Sequence, residues 1–399
     1  MTALAKGIFI VGAKRTPFGT FGGKLAKTHI TDLQVTASKA ALAASNVNPE
    51  WVDTVVIGNV MPSVAADGGF LARHVLLKSG IPLEKPAFSV NRLCGSGFQS
   101  IINGLQDISV GLAEIALTGG VENMSSLPYI VRNIRFGNIP LGVSPILEDA
   151  MTQSSTDTVC NLNMALTAEK LGEQFKLSRK EIDEFSFTSQ QRWKAANDAG
   201  KFKDEIVPVP IKEKKEIVNF EVDEHPRPWT TPEMLTKLPS LFKKDGLVTA
   251  GSASGISDGA AAVVVASEAS LSKYNLKPLA RIVAHSVVGV EPSIMGFGPS
   301  PAIRNILKAT GKTLEDIDLI EINEAFAAQT LACAKDLKLD MNKLNVNGGA
   351  IAVGHPLAAS GSRITGHLVY ELKRRNGKLA IGSACIGGGQ GIAIMIENI

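Results

Sequence analysis

The stretch AFSVNRLCGSGFQSIINGLQDI, residues 87–108, changes its hydrophobic period part-way along. Ala87 to Leu93 read as a buried β-strand, whereas Phe98, Ile101, Ile102, Leu105 and Ile108 recur at the spacing of one helix face. Between the two patterns stands Cys94-Gly95-Ser96-Gly97, a turn rich in the residue that tolerates any backbone conformation. Ala113 to Thr118 then return to a strand pattern. A strand feeding a helix and then another strand implies parallel pairing, right-handed crossovers and a sheet covered on both faces, hence an α/β fold.

Upstream, Ile8 to Val11 and Thr54 to Ile57 are short β-rich runs, Asp32 is placed to cap a helix through Ala37 to Ala44, and Asp67 to cap another that ends before Gly80. The last third repeats this grammar. Leu279 to Ala284 is an expected strand, Pro301 to Thr310 a helix stopped by Gly311, Asp318 to Asn323 a strand and Glu324 to Leu337 a helix. Leu344 to Asn347 follow as a strand, and Ile364, Leu368, Val369 and Leu372 give a helix stopped near Gly377. Leu379 to Ala384 close the series. Each half thus holds a strand, a glycine-rich turn and a helix, with Cys94 at the turn of the first and His355 at that of the second. From Val121 to Asp245 helices and charged loops dominate, with a Ser178/Glu181 capping box and a solvated run at Lys212 to Glu216, before Gly259 to Ser267 rejoin the first sheet. The expected division is 1–120 plus 246–272 for the first half, 121–245 for an inserted loop domain and 273–399 for the second half.

Bulk properties narrow the function classes. The 399 residues are 45% apolar and 20% charged, and the net charge of +3 gives no basis for nucleic-acid binding. No apolar run approaches the roughly 20 residues of a membrane span, and Gly7 to Val11 are too short for a secretory signal. The four cysteines, Cys94, Cys160, Cys333 and Cys385, form no metal-ligand spacing, so reduced thiols and no metal are expected. Met1 to Thr31 carry five basic residues and no acid, which fits an uncleaved mitochondrial address; Glu397-Asn398-Ile399 is not a peroxisomal ending.

Four segments carry chemistry. Cys94 sits where a strand turns into a helix, and the helix N-terminus favours thiolate over thiol. Cys385 precedes the run Gly387-Gly388-Gly389, whose backbone N–H groups can face a developing oxyanion. His355 is held between Gly354 and Pro356, and Asn323 stands at a strand end, where ligands of α/β sheets gather. The bland readings are a buried apolar cysteine, a plain turn, a structural histidine and a helix cap. Two thiols, an imidazole and a carboxamide at comparable turns are, however, the material for covalent acyl transfer.

Together and in order, these segments resemble those of the thiolase family over essentially the whole chain, and they are most similar to its mitochondrial 3-ketoacyl-CoA-cleaving branch. The resemblance implies two similar halves in a five-layered αβαβα arrangement, a loop domain over the site, and a homodimer or homotetramer in the mitochondrial matrix, or alternatively the cytoplasm. It implies acyl-CoA and coenzyme A as substrates, with no metal and no other cofactor. It makes Cys94 the acylated nucleophile, His355 its activator and Cys385 the second acid/base. Asn323 would hold a water that, with His355, stabilises an enolate oxygen, and the N–H groups of Cys94 and Gly387 would form a second oxyanion hole. Arg227, Thr230 and Ser254 match positions that contact coenzyme A. Two positions depart from the pattern: Asn163 stands where acetoacetyl-CoA-specific members carry histidine, and Ala358 where glycine is common. The alternatives are an acetoacetyl-CoA thiolase and a non-catalytic CoA- or lipid-binding relative.

Overall fold

Strands that are apolar at nearly every position belong to a sheet with helices on both sides. Ala260 to Ala266 are of this kind, at most 1% exposed. The computed structural model, which describes residues 2–137 and 139–399, contains them in an eleven-stranded sheet. Its main strands are β1 (Ile8–Arg15), β2 (Thr54–Gly58), β3 (Ala87–Val90), β4 (Ile115–Asn123), β5 (Ser257–Ser267), β6 (Ala280–Gly289), β7 (Leu319–Ile322), β8 (Leu379–Ile386) and β9 (Gln390–Asn398). They run in the order β7-β8-β9-β6-β1-β5-β4-β2-β3.

At the β6–β1 seam only Ala280 with Ile10 and Arg281 with Phe9 are paired. On one side β1–β5 and β5–β4 are antiparallel while β4–β2 and β2–β3 are parallel. On the other β6–β9 and β9–β8 are antiparallel, β8–β7 is parallel, and Leu344 adds a parallel bridge to Ile320. Strand order and direction coincide in the two halves, so the repeat exists as topology.

The helices that cover the sheet are α1 (Ile30–Ala44), α2 (Leu71–Lys78), α3 (Ser96–Ser109), α4 (Met164–Gln174), α5 (Arg179–Asp198), α6 (Pro299–Thr310), α7 (Ala327–Leu337) and α8 (Ser360–Arg375). Three cores stack between them. Leu33, Ala37 and Leu71 of α1 and α2 pack on Ala262 and Val264. The opposite face of the same strand, Val263 and Val265, meets Phe98 and Ile101 of α3 and Ile364 and Leu368 of α8, which also cover Ile394 and Ile396 of β9. Met395, between those two isoleucines, faces outward to Ile303 and Ile306 of α6. Helix, sheet, helix, sheet, helix gives five layers, and each fully buried Leu, Ile or Val contributes about 1.5–3 kcal/mol.

Several local expectations change. β3 is an edge strand rather than a buried one, with Phe88 43% exposed, because among the described residues no strand lies beyond it. His29, not Asp32, caps α1, accepting the Thr31 N–H through Nδ1. Asp67 caps nothing; its carboxylate lies between His29 and His74. Lys212 to Glu216 are not a loop but the tip of a hairpin, Val209–Glu213 with Glu216–Phe220, turning at Lys214 with φ of 54°. α7 begins at Ala327 rather than Glu324, and β9 is a strand that the sequence reading did not include.

Candidate active site

The turn after β3 is built to present Cys94. Leu93, just before it, has φ of 46°, a conformation uncommon for a branched side chain. Local hydrogen bonds hold it there: Leu93 N–H donates to Asn91 Oδ1 at 2.9 Å, and Ser96 Oγ accepts from Arg92 N–H at 2.9 Å while donating to Leu93 O at 2.7 Å. Gly95 lies so close to the end of β8 that an added Cβ would meet Ile386 at 2.5 Å. The N-termini of α3 and α8 cross at equally short range: a Cβ on Gly97 would meet Ala358 O at 2.5 Å, and one on Gly361 would meet Phe98 N at 2.3 Å.

That crossing brings the second half's residues to the first half's thiol. His355 follows the short helical turn Ala350–Val353, and its N–H donates to Gly255 O at 2.9 Å. Its Nδ1 lies 2.6 Å from Ser360 Oγ. Ser360 Oγ also donates to Pro356 O at 3.1 Å, so its lone pairs face the ring and the proton belongs on Nδ1. Nε2 is left as the basic nitrogen, 3.3 Å from Asn323 Nδ2. Asn323 therefore serves the imidazole and caps no helix. Cys385 has no exposed surface and packs with Met295 and Ala325 beneath the same space.

Cys94, His355, Cys385, Gly387 and Ser254 all line one cavity of about 640 Å³. Its remaining walls are mostly apolar and include Met61, Met124, Met151, Met164 and Met295, side chains that adapt to varied ligand shapes. Arg227 and Thr230 are not in its lining. They form a turn outside it, Thr230 N–H donating to Arg227 O at 3.0 Å, while His225, on the same segment, does reach the cavity. Asn163 lines the wall and caps α4, and the φ of Ala358 is not positive, so alanine is unstrained there.

Burial dominates the electrostatics. It pushes the Cys94 thiol up to about 11, with the Glu122 carboxylate adding to the rise, against the pull of the Gly387 and Cys94 N–H groups that face the sulfur. The N–H groups at the helix N-terminus do pull the thiol down, but burial outweighs them. At pH 7 a thiol of that acidity is ionised about one part in 10⁴. Burial, then the charge of Arg363, lowers His355 to about 3, and burial keeps Cys385 well above the ordinary thiol range. The resting pair is a neutral thiol and a neutral imidazole, and the N–H groups of Cys94 and Gly387 face the sulfur.

Sequence reasoning missed Glu122, a carboxylate with no exposed surface at the end of β4, whose raised acidity range of about 7 comes from burial. No motif signals it, because its protein partners are largely backbone N–H groups. Among the described residues no group of three or more His, Cys, Asp or Glu is arranged to hold a metal, and no helix is long and apolar enough to cross a membrane.

Family models for the thiolase N-terminal domain and the thiolase C-terminal domain match residues 8–269 and 276–398. The chain is 59% identical over 396 residues to human mitochondrial 3-ketoacyl-CoA thiolase, covering 99% of each. It is 43% identical to an acetyl-CoA acetyltransferase of Syntrophomonas wolfei, covering 99% of this chain and 100% of that one. The crystal structure of the human mitochondrial enzyme in complex with CoA superposes with a TM-score of 0.96 at 58% identity, covering 99% of this chain and 98% of that one.

Proposed function

The chain belongs to the thiolase family, and on that premise we propose that it cleaves 3-ketoacyl-CoA with coenzyme A through an acyl-Cys94 intermediate. It is an acyltransferase whose products are acetyl-CoA and a shortened acyl-CoA. The observation that carries the mechanism is the convergence of Cys94, His355, Cys385 and the Gly387 N–H on one cavity.

In the first half-reaction His355 Nε2 takes the Cys94 proton as the sulfur attacks the 3-keto carbon. The attack and the proton transfer go together, because the isolated thiolate is scarce. The alkoxide oxygen sits between the Cys94 and Gly387 N–H groups. The C2–C3 bond then breaks, and its electron pair leaves as the enolate of acetyl-CoA, whose oxygen faces protonated His355 and a water held by Asn323. One such donor is worth about 3 kcal/mol of barrier. Cys385 gives its proton to C2, and acetyl-CoA departs. In the second half-reaction the Cys385 thiolate takes the proton of the incoming coenzyme A thiol, whose sulfur attacks the acyl carbon. The Cys94 thiolate is expelled and recovers its proton from His355. The exchange is between two thiols in one buried cavity, so burial acts on both partners in the same direction.

Ser254, inside the cavity, is assigned to the pantetheine arm, and Arg227 and Thr230, outside it, to the nucleotide end of coenzyme A. The thioester chemistry itself calls for no cofactor beyond the substrate. We assign residues 1–120 with 246–272 and residues 273–399 to the two halves and 121–245 to the loop domain over the site, in a homodimer or homotetramer of the mitochondrial matrix. Asn163, where acetoacetyl-CoA-specific members carry histidine, favours substrates longer than acetoacetyl-CoA. Thiolysis across 3-ketoacyl-CoAs from four to sixteen carbons, with products identified by mass spectrometry, tests the reading. Acetyl-CoA plus an acyl-CoA two carbons shorter is expected. Free acid formed at the same rate without coenzyme A would replace it with a hydrolase.

A further inference from the structure

Glu122 accepts hydrogen bonds from two sides of the cavity. On one side Asn59 Nδ2 donates at 2.7 Å, Met61 N–H at 2.9 Å, and Val60 N–H at 3.2 and 3.3 Å to its two oxygens. On the other, Ala358 N–H donates at 3.1 Å. Both sides are working walls. Val60 and Met61 line the cavity, and so do Leu357 and His355, immediately before Ala358. The carbonyl of Ala358 is pinned as well: it lies where a Cβ on Gly120 or Gly97 would approach within 1.9 or 2.5 Å. The segment carrying His355 is therefore gripped at Ala358 from both its N–H and its C=O.

We propose that Glu122 is a positioning residue, which sets the height of the His355 imidazole over the Cys94 sulfur and fixes, through Asn59, Val60 and Met61, the wall that the acyl chain meets. The inference rests on the thiolase reading above. Above its raised value of about 7, where it is ionised, the group suits the post because all these partners are donors and a carboxylate only accepts; a glutamine would turn an NH₂ towards at least one of them. The charge does nothing for the nucleophile. It raises the Cys94 thiol further, so the electrostatic and positioning consequences of removing it oppose each other.

That opposition makes the test decisive. The full-length wild type and Glu122→Gln are compared for kcat, KM, coenzyme A binding and the rate at which iodoacetamide alkylates Cys94, all at one pH above the Glu122 value of about 7. The wild type serves as control, since absence of an acyl-Cys94 in it would fail the functional reading and not this inference. Given that control, Glu122→Gln is expected to lose roughly 10- to 100-fold in kcat, the scale of a small misplacement of a reacting group, with coenzyme A affinity unchanged and alkylation of Cys94 as fast or faster. Wild-type kcat, or an equal fall in kcat and alkylation, would overturn the proposal. Should that variant not fold, Asn59→Ala leaves the Ala358 contact in place and removes the Nδ2 bonds to Glu122 and Val121 O, which loosens the wall at Val60 and Met61. It is expected to alter the ratio of kcat/KM for long- and short-chain substrates, and an unchanged ratio would equally overturn it.

Discussion

Replacing Ser360 by alanine removes one hydroxyl and probes how the base is kept basic. Ser360 is 1% exposed and stands at the first position of α8, and its Oγ is the acceptor for the His355 Nδ1 proton at 2.6 Å. Alanine fits the helix, so the loss is that bond together with the one Oγ donates to Pro356 O. The orphaned N–H then sits in a site where His355 itself is 5% exposed, and a buried donor without a partner costs about 1–3 kcal/mol. The ring can escape that cost by moving its proton to Nε2, but Nε2 is the nitrogen that must accept from Cys94. Either way the penalty falls on the reactive tautomer, which converts to a roughly 5- to 150-fold loss in kcat. KM for coenzyme A should stay within about twofold, since Ser360 does not line the cavity. Steady-state thiolysis with both substrates varied, alongside a melting curve, is the assay. A Ser360→Ala enzyme with wild-type kcat and KM would show that the tautomer is held by something else.

Cys385→Ala should still be acylated by a simple acyl-CoA but lose roughly 10²- to 10⁴-fold in carbon–carbon bond exchange, the usual worth of a general acid/base; normal thiolysis would reassign that role. Gly97→Ala drives a Cβ to 2.5 Å from Ala358 O and 2.7 Å from Ser362 N, both backbone, so a destabilisation of about 1–3 kcal/mol is expected in urea unfolding. An unchanged midpoint would contradict the tight crossing of α3 and α8. Burial raises Glu205, but the charges and hydrogen bonds of His367 and Arg15 outweigh it and hold the group at about 2. Its stabilisation is therefore full above the ordinary carboxyl value of 4.5 and lost as pH falls towards 2. The melting-temperature gap between wild type and Glu205→Gln should be widest near neutrality and close in acid; a gap independent of pH would refute the linkage.

The α/β architecture was legible because strand and helix patterns alternate in both halves, whereas the five layers were implied only by the family resemblance. Residues 87–108 switch from strand to helix spacing, the clearest such change in the chain. β9 escaped notice because Ile392, Ile394 and Ile396 alternate with Ala393 and Met395, so it lacks a polar face, and it follows a glycine run that reads as irregular. The hairpin at Lys212 to Glu216 is nearly all charged and turns on a lysine in left-handed geometry, which no turn signature announces. At the site, side-chain type exposed the two thiols, the imidazole and Asn323. Glu122 stayed hidden because Val60, Met61 and Ala358 bind it through main-chain N–H groups that every residue but proline possesses. The helix-terminus effect on Cys94 could be read from the chain order, but the burial that outweighs it could not.

The central claim is that a carbon–sulfur bond forms at Cys94 before coenzyme A accepts the acyl group. Wild-type enzyme mixed with acyl-CoA, quenched in acid and digested should yield the Cys94 peptide bearing the acyl mass, and added coenzyme A should discharge it before the quench. Cys94→Ala should carry no acyl group anywhere. An acyl group on Cys385 instead, or turnover at the wild-type rate with every thiol unmodified, would contradict the account.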